Sequence, residues 1–174
     1  MIEKVITFGR STIRELIESS ARLDISGGWA LISIHKNIKN PTIKNDNDSN
    51  ILKEKGCEKI LIECFGDYTD QDYIKFSEKY KTVSKHINLI RKTQAYSIVR
   101  FLKFLKKCDN IKTLVTQCDA GISRSGAIGL YACRFFGLNE NEYVKSRVMH
   151  PNYYVYKKLS EIYNPVSLLQ EGEI

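Results

Sequence analysis

Residues Ile111 to Gly126 read IKTLVTQCDAGISRSG. The first part, Ile111 to Thr116, is an apolar run rich in β-branched residues, the pattern of a strand buried on both faces. A cysteine, Cys118, stands just past its end, and small residues follow as far as Arg124. Beyond Ser125, the apolar residues Ile128, Leu130, Tyr131, Cys133 and Phe135 predict a helix buried nearly all round, stopping at Gly137. Strand, small-residue loop and helix follow in that order. Such a loop turns several N–H groups inward, and the helix dipole adds to them, so it forms a cradle for an anion.

The chain around this stretch repeats the same grammar. Val5 to Phe8 reads as a short strand, and a helix over about residues 12–22 would be capped by Ser11. Trp29 to His35 (WALISIH) and Lys59 to Phe65 (KILIECF) are two more buried strands. Lys36 to Gly56 is polar, rich in Asn and Asp, and reads as a long surface loop. Residues 66–90 carry no clean period; a loop of that length in a compact domain is usually functional. Ala95, Ile98, Val99, Leu102 and Leu105 fall at helical spacing, so a helix covers about 92–107. Two further helices are expected over about 140–148 and 153–163. Strands separated by helices, with apolar runs instead of alternation, predict an α/β fold. Its core is a mostly parallel sheet of four to five strands flanked by helices, with the cysteine loop between a central strand and a helix. In such sheets the site lies beyond the carboxyl ends of the strands, where Cys118 stands.

Length and composition bound the rest. The 174 residues suit one domain, 1–174, with no internal repeat or linker. No apolar run approaches the roughly 18 residues of a membrane span. The opening MIEKVITFGRST is too polar for a signal peptide, so a cytoplasmic location is expected. Five cysteines, odd in number and without a Cys-x-x-Cys pair, argue against a disulfide framework or a zinc site. Cys57, Cys64, Cys108 and Cys133 read as small hydrophobes. The net charge of +7 permits a nucleic-acid partner without demanding one. The lysines are scattered, so the field is read as drawing anionic, phosphorylated substrates.

The loop carries its own chemistry. Ala120 and Gly121 let the backbone bend and approach a ligand. The planar fork of Arg124 suits two hydrogen bonds to phosphate oxygens. A helix N-terminus and a neighbouring guanidinium stabilise a thiolate, which makes the floor of the cradle a nucleophile. Ser125 is placed to hydrogen-bond the sulfur as it leaves. Asp119 lowers the positive charge of the rim and disfavours highly charged substrates.

Cys118, Ala120, Gly121, Ser123, Arg124 and Ser125, as Cys-x-Ala-Gly-x-Ser-Arg-Ser, resemble the signature loop of the cysteine-based protein tyrosine phosphatases, closest to the dual-specificity-like branch. The resemblance implies hydrolysis of phosphotyrosine, and of phosphoserine or phosphothreonine, through a cysteinyl-phosphate, with no metal and no cofactor. Residues Asp119, Ala120, Gly121, Ile122, Ser123 and Arg124 would bind the phosphate. The phosphorylated protein is the expected partner, and the chain is expected to be a monomer. The family supplies an aspartate as general acid from a loop after a neighbouring strand; here Asp67 is the best match, then Asp70, then Asp72. Tyr68 and Tyr73 are candidates to line the pocket. His35, His86 and His150 read as structural, as does Trp29. A protective disulfide between Cys64 and an oxidised Cys118 is the lesser reading of Cys64. One departure stands out. The family usually has a histidine before the nucleophile, and this chain has Gln117, which implies weaker activity or activity at higher pH. Two alternatives therefore stay open: a weak or inactive phosphate-binding module, and an RNA 5′-phosphatase. Arsenate reduction, which also uses Cys-x5-Arg, ranks below both.

Overall fold

The computed structural model describes residues 1–36, 41–69, 71–72, 74–75, 88–145 and 149–165. Four strands, β1 (Lys4–Phe8), β2 (Gly28–His35), β3 (Cys57–Cys64) and β4 (Ile111–Gln117), form one sheet in the order β1-β4-β2-β3. Every pairing is parallel. The α/β reading is therefore correct, with four strands among the described residues. The strand that ends before Cys118 is interior, flanked by β1 on one side and β2 on the other.

Alternate side chains of β2 serve two cores. Trp29 and Leu31 pack with Val115 of β4 against Ile13, Leu16 and Ile17 of α1 (Arg10–Glu18) and Leu52 of α2 (Asp46–Glu54). Ala30, Ile32 and Ile34 face the other way. There they meet α3 (Lys92–Leu105), α4 (Arg124–Phe136) and α6 (Tyr153–Ile162). A short helix, α5 (Glu140–Lys145), closes the chain between α4 and α6. Both faces of the central strands β2 and β4 are thus covered, which is why they read as apolar runs; β3, expected as a buried strand, is an edge strand and half-buried, with Ile62 exposed.

Helix α4 is buried along nearly its whole length and ends on Gly137 at φ 72°, the left-handed conformation that a helix C-terminus favours. Helix α3 presents Ala95, Ile98, Val99, Leu102 and Leu105 to the core, as their spacing predicts. Trp29 is buried and its indole N–H donates to the Lys55 carbonyl at 2.9 Å.

Two local readings need correction. Helix α1 begins at Arg10, not after Ser11, and its N-cap Gly9 makes no side-chain cap bond. Strand β1 runs into it with one residue between, so the strand end and not a capping side chain sets its start. The segment 36–56 is not all loop. Asn45 accepts a hydrogen bond from the Asp48 N–H at 2.9 Å and starts α2, with Asp46 and Asp48 at the positive end of the helix dipole. The Asn/Asp-rich run that reads as a loop is a cap followed by a helix with a narrow apolar stripe. Residues 37–40 and most of 66–90 lie outside the described residues.

Leu52 tests this correction. It is fully buried under β2. Leu52→Ala should lower the unfolding free energy by about 2–5 kcal/mol in urea titration. A change of less than about 0.5 kcal/mol would return the segment to a surface loop.

Candidate active site

The loop after β4 is seated on the end of β1. Gly121 has φ 73°, which disfavours any side chain, and a Cβ there would lie 2.6 Å from the Phe8 carbonyl carbon. The Arg10 N–H donates to the Asp119 carbonyl at 3.0 Å. The loop therefore crosses the β1–α1 junction in close backbone contact. On the far side, the Asn152 N–H, at the start of α6, donates to the Ser123 carbonyl at 3.2 Å.

Beneath the loop, buried hydroxyls hold the first turn of α4. Thr116 Oγ1 donates to the Ser125 carbonyl at 3.1 Å and lies 2.8 Å from Thr7 Oγ1, which in turn meets the Tyr143 hydroxyl. Gly129 leaves room for that hydroxyl; a Cβ there would overlap it.

Cys118 is 2% exposed, and Ser125 Oγ donates to its sulfur at 3.0 Å. Arg124 is 4% exposed. Its Nη1 donates to the Phe65 carbonyl at 2.9 Å, and its Nη2 pairs with Asp119 Oδ2 at 2.7 Å. Its buried Nε has no acceptor among the described residues. Asp119 is shared: its other oxygen pairs with Arg10 Nη2 at 2.5 Å. The carboxylate thus bridges two guanidinium groups at the rim of the cradle.

Asp67 is brought to the loop from the segment after β3. Its Oδ1 accepts from Ser123 Oγ at 2.6 Å and from Asn152 Nδ2 at 2.8 Å. Cys118, Arg124, Asp119, Asp67, Tyr68 and Lys36 line one cleft of about 270 Å³. The groups this arrangement gathers are a sulfur with a hydroxyl donor, a buried guanidinium with a spare N–H, and a carboxylate across the cleft. That set can bind an oxyanion, attack it and exchange a proton with it.

No protein-family model matches the sequence, and no curated protein does. Solved structures are similar in shape. A mutant form of Tk-PTP superposes with a TM-score of 0.50 at 14% identity, over 95% of this chain and 93% of that one. This chain has the protein tyrosine phosphatase fold. Tk-PTP in its active form gives a TM-score of 0.43 at 12% identity, over 99% of this chain and 93% of that one. The human tyrosine phosphatase-like serine/threonine/tyrosine-interacting protein gives 0.40 at 22% identity, over 82% and 80%.

Within this phosphatase fold the other expected residues separate. Asp72 folds back on its own turn, where Oδ2 accepts from the Thr69 N–H and hydroxyl, both at 2.8 Å. Those bonds hold its carboxyl below the usual range and occupy it away from the cleft. Asp70, Tyr73 and His86 lie outside the described residues. Tyr68 lines the cleft, packed over Gly66, where a Cβ would lie 2.6 Å from the ring. Burial pushes the Cys57 and Cys133 thiols up to about 12 and leaves them inert. Cys64 ends β3, and β2 lies between β3 and β4. Two strand spacings are roughly 9–10 Å, beyond the about 7 Å that a disulfide spans between Cα atoms. Cys118, however, lies beyond the end of β4 in the loop, and the Arg124 charge reaches the Cys64 thiol, so strand spacing does not decide that pairing.

Three contributors escaped the sequence reading: Arg10, Asn152 and Lys36. Arg10 follows a strand more than a hundred residues upstream of the loop, and only the β1–β4 pairing brings it near. Asn152 had a visible signal. It caps α6 by accepting from the N–H groups of Tyr154 and Val155 with its oxygen, and its NH2 is left to donate to Asp67. Among the described residues no three His, Cys, Asp or Glu side chains gather to hold a metal, and no helix is long and apolar enough to cross a membrane.

Asp119 competes with an incoming oxyanion for Arg124. Asp119→Asn keeps the hydrogen-bonding shape and removes the charge. It should tighten tungstate binding about fivefold by calorimetry, the ~1 kcal/mol of one charge at 4 Å in a water-like medium. Unchanged or weaker binding would show that the carboxylate organises the loop more than it repels.

His35 gives a second test. It is buried, and burial first, then the charges of Arg10 and Arg124, hold its imidazole below the ordinary 6.5 against the pull of Asp119. The unfolded chain then binds this proton more readily than the native one. Stability is present above pH 6.5 and should fall as the pH drops from there toward the native value. Unfolding of wild type and His35→Gln compared between pH 5 and 8 should show a slope in the wild type that the variant lacks.

Proposed function

We propose that this protein is a phosphatase that hydrolyses phosphomonoesters through a cysteinyl-phosphate, acting on phosphotyrosine in proteins and also on phosphoserine or phosphothreonine. The observation that carries this reading is the convergence in one cleft of the buried Cys118 sulfur, the Ser125 hydroxyl on it, Arg124 with a buried N–H left over, and Asp67.

In the first step the Cys118 thiolate attacks phosphorus and an S–P bond forms while the P–O bond to the leaving group breaks. Arg124 and the backbone N–H groups of residues 119–124 take the phosphate oxygens, where charge builds in the transition state. The carboxyl proton of Asp67 passes to the leaving oxygen. Both contacts of Asp67 fall on Oδ1, so Oδ2 is the oxygen to carry that proton. In the second step Asp67 takes a proton from water, the water oxygen attacks phosphorus, and the S–P bond breaks. The hydrogen bond from Ser125 stabilises the departing thiolate, and inorganic phosphate leaves.

Two features favour a protein substrate with an aromatic phosphoester. Tyr68 offers an aromatic wall beside Cys118. A wider groove of about 570 Å³ shares Asp67 and Ser123 with the cleft and continues past His150, Tyr153 and Lys157, which suits a polypeptide flanking the phosphorylated residue. The reading of a non-catalytic phosphate-binding module has one observation in its favour, the glutamine before the nucleophile.

Hydrolysis of p-nitrophenyl phosphate from pH 5 to 8 separates these. Cys118→Ser should abolish turnover and keep tungstate binding. Asp67→Asn should lower kcat by about 10²–10⁴, the usual contribution of a positioned acid. Absence of turnover by the wild type, with tungstate bound, would leave a phosphate reader. Faster hydrolysis of triphosphate-ended RNA than of phosphotyrosine peptide, lost in high salt, would favour the RNA reading.

A further inference from the structure

The register of β2 against β4 sets Ser33 opposite Gln117. His35 comes two residues later, on the same face of the sheet. All three side chains are buried: Ser33 and Gln117 have no exposed surface, and His35 is 2% exposed. They form a chain of hydrogen bonds whose direction is set from one end. The Thr42 N–H donates to His35 Nδ1 at 3.0 Å, so Nδ1 carries no hydrogen. The proton of the neutral imidazole therefore sits on Nε2, which approaches Ser33 Oγ at a long 3.4 Å. Ser33, accepting there, donates to Gln117 Oε1 at 2.5 Å. A backbone amide cannot reverse its role, so the polarity of the whole chain is fixed.

The other end of the Gln117 amide, Nε2, is buried and has no acceptor among the described residues. Ser33 on β2, Phe8 on β1 and Val115 beneath it enclose Gln117 on its own sheet face. Helices α1 and α2 cover this face, and Gln117 is the last residue of β4, so its unpartnered amide adjoins the loop of residues 118–124. A buried NH2 without a partner costs about 1–3 kcal/mol. It persists here because the relay holds the amide by its oxygen.

We propose that Ser33, oriented by His35, fixes the Gln117 amide by its oxygen, leaves its NH2 for the nucleophile loop, and is thereby a positioning residue for Cys118. The task falls to Gln117 because no ionisable ring occupies that position, and the ring sits instead one strand away. The charged groups facing His35 agree with a ring that stays neutral. Arg10 from α1 and Arg124 from α4 both oppose its protonation, Asp119 from the loop favours it, and the Thr42 N–H blocks a proton on Nδ1. This inference rests on the phosphatase reading of the site, but its first readout does not.

The test is the rate at which iodoacetate carboxymethylates Cys118, followed on the Cys118 peptide by mass spectrometry at pH 7, together with kcat and KM for p-nitrophenyl phosphate. Wild type, Ser33→Ala, Ser33→Thr, Gln117→Met and the Ser33→Ala/Gln117→Met double variant are compared. Ser33→Ala and Gln117→Met should each slow carboxymethylation and lower kcat about tenfold with KM within about twofold, the scale of one hydrogen bond. Ser33→Thr, which keeps the hydroxyl, should restore the wild-type rate. The double variant should be no slower than Gln117→Met alone, because Ser33 acts only through Gln117. Wild-type rates in Ser33→Ala, or single effects that multiply in the double variant, would overturn the relay. Carboxymethylation that follows the relay in a protein that turns over no phosphoester would sink the phosphatase reading and uphold the relay.

Discussion

The structure depends most on one close approach, that of the loop after β4 to the backbone where β1 becomes α1. Gly121 passes the Phe8–Gly9 peptide at a distance no side chain tolerates, and the Arg10 N–H ties the two segments through the Asp119 carbonyl. That contact needs β1 beside β4 and a positive φ at Gly121. It sets the curvature of the loop. The loop in turn decides where the Cys118 sulfur, the Ser125 hydroxyl and the Arg124 guanidinium meet. Everything catalytic in the proposed mechanism is built on backbone geometry before any side chain acts.

The cradle is also charged in an unusual way. Asp119 lies between Arg10 and Arg124, so the positive charge that would greet a phosphate is partly used within the protein. A dianion must displace or tolerate this carboxylate to reach the guanidinium. Lysine-rich surfaces give the protein a net positive field, but the rim itself is closer to neutral. Attraction at long range and selectivity at short range are therefore carried by different residues.

Much of this was legible in the sequence because the central strands β2 and β4 are buried on both faces. IKTLVT and WALISIH are apolar runs that no surface element would carry, and the small-residue loop after the first of them marks the candidate site; KILIECF looks the same in sequence, but β3 is a half-buried edge strand with Ile62 exposed. The loop could be found from the order strand, small residues, helix, whereas Asp67 came from the family resemblance, as the first of three candidate aspartates. What could not be read was whatever depends on strand order. Arg10, Ser33 and His35 meet the loop through neighbours separated by roughly eighty to more than a hundred residues, and one sequence holds no trace of the order β1-β4-β2-β3. Helix α2 was missed for a different reason: its apolar stripe is one turn wide, and its Asn and Asp residues serve equally well as caps and as loop formers.

The carbonyl of Phe65 that holds Arg124 Nη1 follows directly on β3, one of the two strands at the margins of the sheet. A marginal strand is bonded on one side only and opens at lower free energy than the interior. When the end of β3 frays, the guanidinium loses its anchor while β4, β2 and the nucleophile loop remain folded. In the proposed mechanism, competence to bind phosphate thus depends on a border of the sheet as well as on its centre. On warming, backbone amides near residue 65 would exchange with solvent ahead of those in β4, and an activity of the proposed kind would fade before the sheet melts.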